Sequence, residues 1–398
     1  MDRRLLHLFE GLVDCVERCA PSLLGPNDAR GKRLAEQVAY QSAVYNRMEE
    51  GLGPSHTTGD ALAARLRFFL PRDVLKSTGP LAELAAVGAL PTSRTWRVLD
   101  IGAGLGATTF GAALFAVATK SADAIEVRAA DRDSRALDVF ERLADEVSRV
   151  FGVGIRVDRV SLDAMRDPLV DLGRDHDFVF AGLVLNELDG SEETRAEWLV
   201  ALSQRLAGHG SLIVIEPALR LVSRSLHVVR DLLTARQSSP HVFAPCIRSG
   251  PCPMLARERD WCHEEMAVHL PERVAALARQ VGLREQRLTY SYLTLRRDHR
   301  SIAELVTVRD HAVRVVSRVL RSKGKIEVHT CGEQGAPRLM LLDRERTAEN
   351  EALAETGRGT IVELGQPVTG DLVRLGRADR VRVWRQNPLA STHTAGRR

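Results

Sequence analysis

The stretch Val98-Leu99-Asp100-Ile101-Gly102-Ala103-Gly104-Leu105-Gly106-Ala107 decides the fold. A short apolar run leads into a loop with glycine at every second position, and small residues then open a helix. Glycine is needed where a ligand approaches backbone closely at the carboxyl end of a first strand, because side chains would block it. Gly102, Gly104 and Ala107 also spell the dinucleotide form G-x-G-x-x-A, so spacing alone does not choose the ligand. Asp100 does discriminate. A carboxylate two residues before the first glycine suits a cationic ligand and is unwelcome beside a pyrophosphate.

Outward from this loop, short apolar runs alternate with helical ones. Strands are predicted at 97–101, 125–130, 155–160, 178–185 and 212–216, with helices at 107–120, 134–150, 192–207 and 219–236. Such alternation predicts a parallel sheet covered by helices on both faces. Before it, Leu5, Leu6, Leu8, Phe9, Leu12, Val13 and Val16 recur at helical spacing. Further helices are expected at 33–50, 60–69 and 81–90, with a turn-rich break at 51–59. After the core come a strand at 288–296, a helix at 302–321 and a strand at 326–331. Short strands at 338–342, 360–364, 372–375 and 380–384 form a small β appendage, and the tail past Asn387 is expected to fray. The expected division is an N-terminal helical region (1–92), an α/β domain (93–335) with a Cys-rich insert at 240–265, and an appendage with tail (336–398).

D-x-G-x-G-x-G resembles motif I of the class I S-adenosylmethionine-dependent methyltransferases. In that resemblance Asp100, Gly102, Gly104 and Gly106 hold the cofactor. Asp131 ends the second strand where ribose hydroxyls need an acceptor, and Asp163 follows the third at the adenine contact. Asn186 and Glu187 follow the fourth strand at the acceptor edge and are the catalytic candidates, although Asn186 equally serves as a helix cap. The acceptor atom itself is unreadable: no D/N-P-P-Y signature stands at Asn186, and no cysteine lies there for a C5 nucleophile. A nicotinamide-dependent oxidoreductase is the remote alternative.

Cys246, Cys252, Cys262 and Cys331 lie in Pro- and Gly-bearing contexts with spacing C-x5-C-x9-C-x68-C. Structural zinc usually shows paired C-x2-C knuckles, which are absent, so an iron–sulfur cluster fits better and zinc is the alternative. His263 reads better as a hydrogen-bonding neighbour of the thiols than as a substitute ligand, and Cys15 and Cys19, one helical turn apart, fit ordinary packing.

The glycine-loop sheet, the insert APC…GPCP…DWCH and the distant K-G-K-x-E-x-x-x-C strand together resemble the bacterial branch of the mitochondrial small-ribosomal-subunit methyltransferase-like family, over roughly residues 90–335. The resemblance implies S-adenosylmethionine, a 4Fe-4S cluster on the four cysteines, and small-subunit rRNA or an assembling small subunit as partner. It leaves open whether methyl transfer occurs or the fold serves as a non-catalytic assembly factor.

Composition bounds these expectations. The chain has 398 residues, 44% of them hydrophobic and 27% charged, which excludes wholesale disorder and fits two or three domains. No run approaches the ~18 apolar residues that span a bilayer, and the first twenty residues are too acidic for a secretory signal, so a cytoplasmic location is expected, in a bacterium as the resemblance implies. Net charge is only +4, yet 51 of the 56 basic residues are arginine, an excess that genomic bias explains. The exception is Arg314, Arg318, Arg321, Lys323 and Lys325, five cations with no acid among them, which are expected to contact RNA phosphates. Arg220, Arg224, Arg230 and Arg236, and Arg296, Arg297 and Arg300, form weaker basic stripes.

Overall fold

The structure is a computed structural model and describes residues 3–47, 59–164, 166–167, 169, 172–236 and 238–385. An amphipathic helix, α1 (Arg3–Leu24), buries Leu5, Phe9, Leu12, Val13 and Val16 on one stripe. Cys15 lies on the buried side and Cys19 is partly covered beside it, as ordinary packing requires. Next comes α2 (Gly31–Arg47), then α3 (Gly59–Ala64), a π turn (Arg65–Phe69), α4 (Leu70–Val74) and α5 (Thr78–Ala86). Most of the expected break at 51–59, and the tail past Asn387, lie outside the described residues.

The first sheet comprises β1 (Thr95–Ile101), β2 (Ala124–Asp131), β3 (Gly154–Ser161), β4 (His176–Gly182), β5 (Leu206–Pro217), β6 (His241–Ala244), β7 (Glu264–Ala267) and β8 (Arg287–Arg296). Its helices are α6 (Ala107–Thr119), α7 (Ser134–Phe151), α8 (Glu192–Ser203), α9 (Arg220–Ala235) and α10 (Glu272–Gln280). Strand order is β3-β2-β1-β4-β5-β8-β6, with the first five parallel and β8 antiparallel to both neighbours. This is the doubly wound order with a reversed strand inserted near its end, the Rossmann-like sheet expected for a class I methyltransferase fold. Side chains alternate across it with period two. Val98, Phe178 and Phe180 face the core shared with α1, α6 and α7, while Leu99, Val179 and Ala181 face the core under α8 and α9.

β6 and β7 occupy one edge position. β6 pairs with the 294–296 end of β8 and β7 with its 287–290 end, so residues 245–263 leave and rejoin the same edge. The Cys-rich insert is that excursion.

A second sheet takes β9 (Ala312–Val315), β10 (Leu320–Ser322), β11 (Lys325–Gly332), β12 (Arg338–Leu342), β13 (Ile361–Leu364), β14 (Leu372–Leu375) and β15 (Val381–Arg385), in the order β14-β12-β11-β9-β13-β15 with β10 on β11. Two expectations are corrected here. The helix expected at 302–321 is instead a capped turn at Ile302–Leu305, a turn at Arg309–His311, and β9 with β10. Val306, Thr307, Val308, Val313, Val315, Val316 and Val319 are β-branched and favour extended backbone over helix. The boundary placed at 335/336 also shifts, because the second sheet begins at Ala312 and β11, with Cys331, belongs to it. Among the described residues no helix is long and apolar enough to cross a membrane.

Candidate functional site

The glycine loop lies at the carboxyl end of β1. Gly102, Gly104 and Gly106 have φ of 66°, 51° and 81°, the left-handed region that other residues rarely adopt. A Cβ on Gly106 would stand 2.2 Å from the Phe140 ring, so this glycine is also fixed by packing. The amides of Gly102 and Ala103 donate to the carbonyl of Ala130, and that of Gly104 to Asp131 Oδ2 at 2.8 Å. Asp131 Oδ1 accepts from the amide of Asp133 at 2.8 Å. Asp133 in turn caps α7 by accepting from Ala136. Loop, end of β2 and start of α7 are thereby one hydrogen-bonded unit.

Asp100 is fully buried. Its Oδ2 accepts from the hydroxyls of Thr108 (2.6 Å) and Thr109 (2.7 Å), while Oδ1 has no partner among the described residues. Burial raises its pKa to about 6, with the two hydroxyls pulling the other way. The carboxylate thus keeps one buried, unpartnered oxygen at the end of β1, where the glycine loop begins. Asp163 lies two residues past β3, in a turn where its carbonyl accepts from Arg166 and Asp167.

β4 ends at Gly182, three residues before the expected end, because Leu183 adopts φ 61° and turns the chain. The turn Leu185–Glu187 follows. Asn186 Oδ1 is buried and unpartnered. Burial raises Glu187 to about 7, and the charges of Arg132, Asp131 and Arg65 act on it, placing it in the same electrostatic field as the loop. Glu216, at the end of β5, accepts the Leu185 amide at 2.9 Å and is raised to about 8 by burial. Leu185, Asn186, Arg195, Glu216 and the first turns of α9 line a cleft at this edge.

Thr108, Thr109, Glu216 and Arg65 escaped the sequence analysis. The two threonines directly follow the glycine run, and Glu216 is an acid at a strand's carboxyl end, so those signals existed. Arg65 gave none, being remote in sequence.

The four late thiols form a second focus. Cys246, Cys252 and Cys262 come from the excursion and Cys331 from β11, and every pair among them interacts electrostatically. Burial first, and Cys246 next, raises Cys252 to about 11; for Cys262, at about 12, burial leads and Glu264 adds to it. Burial also raises Cys331 well above the ordinary thiol value, with the other three thiols next in effect. Among the described residues no three His, Cys, Asp or Glu side chains stand ready to grip a single metal ion.

The basic stripes prove to be fasteners. Arg224 donates to the carbonyls of Met254, Leu255, Arg257 and Asp260, and Arg220 to that of Glu258. Arg230 holds the carbonyls of Arg248 and Gly250, Asp231 receives the Cys252 amide, and His227 meets the Cys262 carbonyl. Only Arg236 points elsewhere, to Glu197. Arg296, Arg297 and Arg300 bond the carbonyls of Ala89, Leu206, and Val87 with Gly88. Arg236 apart, these weaker stripes anchor the backbone.

Arg314 is corrected too. It is buried and bridges Glu83 (2.9 Å), Glu264 (2.8 Å) and the Pro245 carbonyl (3.1 Å), joining N-terminal layer, excursion and second sheet. Its one-in-two alternation within β9 turns it inward, which the run of charges concealed. Arg318 is exposed but paired with Glu265, Arg321 bonds the Ala354 carbonyl, Lys325 pairs with Glu327, and Lys323 is exposed with no ion pair among the described residues.

Residues 80–352 match the model of the family described as Rsm22, mitochondrial small ribosomal subunit. No curated protein matches the chain in sequence. Among solved structures, precorrin-6y C5,15-methyltransferase of Geobacter metallireducens is 16% identical, with 55% of this chain and 88% of that one covered and a TM-score of 0.31. A TehB-like SAM-dependent methyltransferase of Corynebacterium glutamicum is 16% identical, covering 54% and 87%, with a TM-score of 0.29. Phosphoethanolamine N-methyltransferase 1 of Haemonchus contortus is 14% identical, covering 68% and 52%, with a TM-score of 0.30. At these scores the likeness carries no weight of its own, and the fold class stands on the strand order.

Proposed function

The chain belongs to the mitochondrial small ribosomal subunit Rsm22 family, and from that premise we propose that it binds S-adenosylmethionine, carries a 4Fe-4S cluster, and methylates small-subunit rRNA during ribosome assembly. The observation that carries this is the glycine cradle with Asp100 beneath it and Asp131 at its rim. The cradle admits a ligand and its acids select a cationic one, which disfavours a nicotinamide dinucleotide with its pyrophosphate.

When bound, the cofactor supplies an electrophilic methyl group. The chain's own work is then alignment and proton handling. Gly102, Gly104 and Gly106 keep the cradle clear, Asp100 faces the cationic amino-acid end, Asp131 faces the ribose and Asp163 the adenine. Asn186 offers an acceptor oxygen to the incoming nucleotide. Glu187, held near neutrality, takes a proton from the acceptor if methyl transfer releases one. Holding acceptor and methyl donor in line accounts for most of the rate.

For the cluster, what supports the four cysteines is that the excursion carrying three of them is fastened beside the fourth: Arg248 donates to the Gly332 carbonyl and the Ser249 hydroxyl to Glu333, next to Cys331. Zinc stays the alternative. The cations around β10 and β11, exposed Arg318, Arg321 and Lys323 with half-buried Lys325, are the proposed rRNA contacts; Arg314 is withdrawn from them.

The deciding experiment is transfer of a labelled methyl group to immature small subunits. Label in rRNA supports the enzyme. No label, with measurable cofactor binding and rRNA crosslinking, would leave the non-catalytic assembly factor instead. Purification without oxygen tests the metal: a colourless protein with stoichiometric zinc defeats the cluster.

A further inference from the structure

Arg65 opens the π turn that interrupts the helical run from Gly59 to Val74. Such single-turn irregularities redirect side chains and recur at functional sites. Its Nη1 donates to Asp133 Oδ2 at 2.6 Å, and its Nη2 stands 3.1 Å from the place a Cβ on Gly104 would occupy. The guanidinium thus lies over the glycine loop, between the loop and the cap of α7, with only 13% of the side chain exposed. Its charge also reaches Glu187 and Tyr45.

Acids crowd this edge: Asp100, Asp131, Asp133 and Glu187. A ligand carrying both a cationic and an anionic end finds partners for the cation everywhere here, and for the anion only at a cation facing the loop. Arg132 is exposed, whereas Arg65 is packed against the loop. A guanidinium offers a planar fork of five donors matched to a carboxylate, and Asp133 engages Nη1, leaving Nη2 facing the loop.

We propose that Arg65 receives the carboxylate of the cofactor's amino-acid moiety, so that the N-terminal helical layer completes the cofactor site. The inference rests on the S-adenosylmethionine reading above. Arg65 precedes the segment 80–352 that matches the family, so the contribution comes from a part of the chain outside that match.

Calorimetric titration of the full-length protein tests it with three probes: S-adenosylmethionine, its decarboxylated analogue and 5′-methylthioadenosine. The wild-type protein is expected to prefer the carboxylate-bearing probe over the decarboxylated one by tenfold or more. Arg65→Ala should abolish that preference while changing methylthioadenosine affinity less than about twofold, and Arg65→Lys should restore part of it. A wild-type protein that binds both adenosylmethionine probes equally overturns the proposal without any variant, as does an Arg65→Ala protein that keeps the preference. A wild-type protein that binds none of the three overturns the cofactor reading itself, which is a separate outcome.

Discussion

Single residues set the chemistry of the cofactor edge, and their substitution is readable. Gly106→Ala forces a Cβ against the Phe140 ring at a φ of 81°. A loss of about 3 kcal/mol is expected in chemical denaturation, with cofactor binding lost alongside. Glu216 is a second case. Its pKa rises from 4.5 to about 8 on folding, so between those pH values the unfolded chain ionises while the folded one stays protonated. Stability therefore falls as pH rises through that window and levels off above it. Glu216→Gln should flatten the fall, leaving the variant at least about 1 kcal/mol more stable than wild type at pH 8, relative to their difference at pH 5. Equal slopes for the two proteins would contradict the raised value. At this scale much was legible. Asp100, the glycines and Asp131 announce themselves by spacing around one strand end. Arg65 could not, since a cation 35 or more residues upstream reaches the loop only through tertiary packing.

At the scale of elements, α9 and the excursion 245–263 form a unit in which side chains of a helix hold the carbonyls of an irregular loop. An irregular loop has few backbone partners of its own, and buried carbonyls left unpaired cost about 1–3 kcal/mol each. Arg224 alone serves four carbonyls of this loop, that of the buried Met254 among them. Arg224→Ala should raise hydrogen exchange across 253–262 and speed alkylation of Cys252 and Cys262 in metal-free protein. Cofactor affinity should stay within about twofold. Strands and helices of the α/β core were legible because period-two and period-3.6 patterns repeat there. The 302–321 segment was not, since its alternating valines sit inside a run whose spacing also fits a helix face. Charge runs misled for a related reason: sequence shows that arginines are present, not whether carbonyls or solvent face them.

Across the whole molecule, Arg314 ties three regions together from a buried position. Removing one partner of a buried ionic cluster leaves uncompensated charge and costs about 3–5 kcal/mol. Arg314→Ala should therefore lower stability by that order. Arg314→Met combined with Glu83→Gln and Glu264→Gln should be milder, because no charge is stranded. For the proposed rRNA contact, Arg318→Ala with Lys323→Ala should weaken binding and reduce the salt-dependence slope by about 2. The Met-containing triple variant should leave that slope unchanged, which separates surface cations from the internal one.

The excursion has a consequence for how such a molecule diversifies. Because 245–263 departs from and returns to the same edge of β8, it is an ornament on a strand rather than a link in the winding order. A chain in which a short turn joins Ala244 to Glu264 keeps every crossover of the sheet. The thiol-bearing ornament and the glycine cradle can therefore be gained, lost or exchanged separately, like modules on a shared chassis.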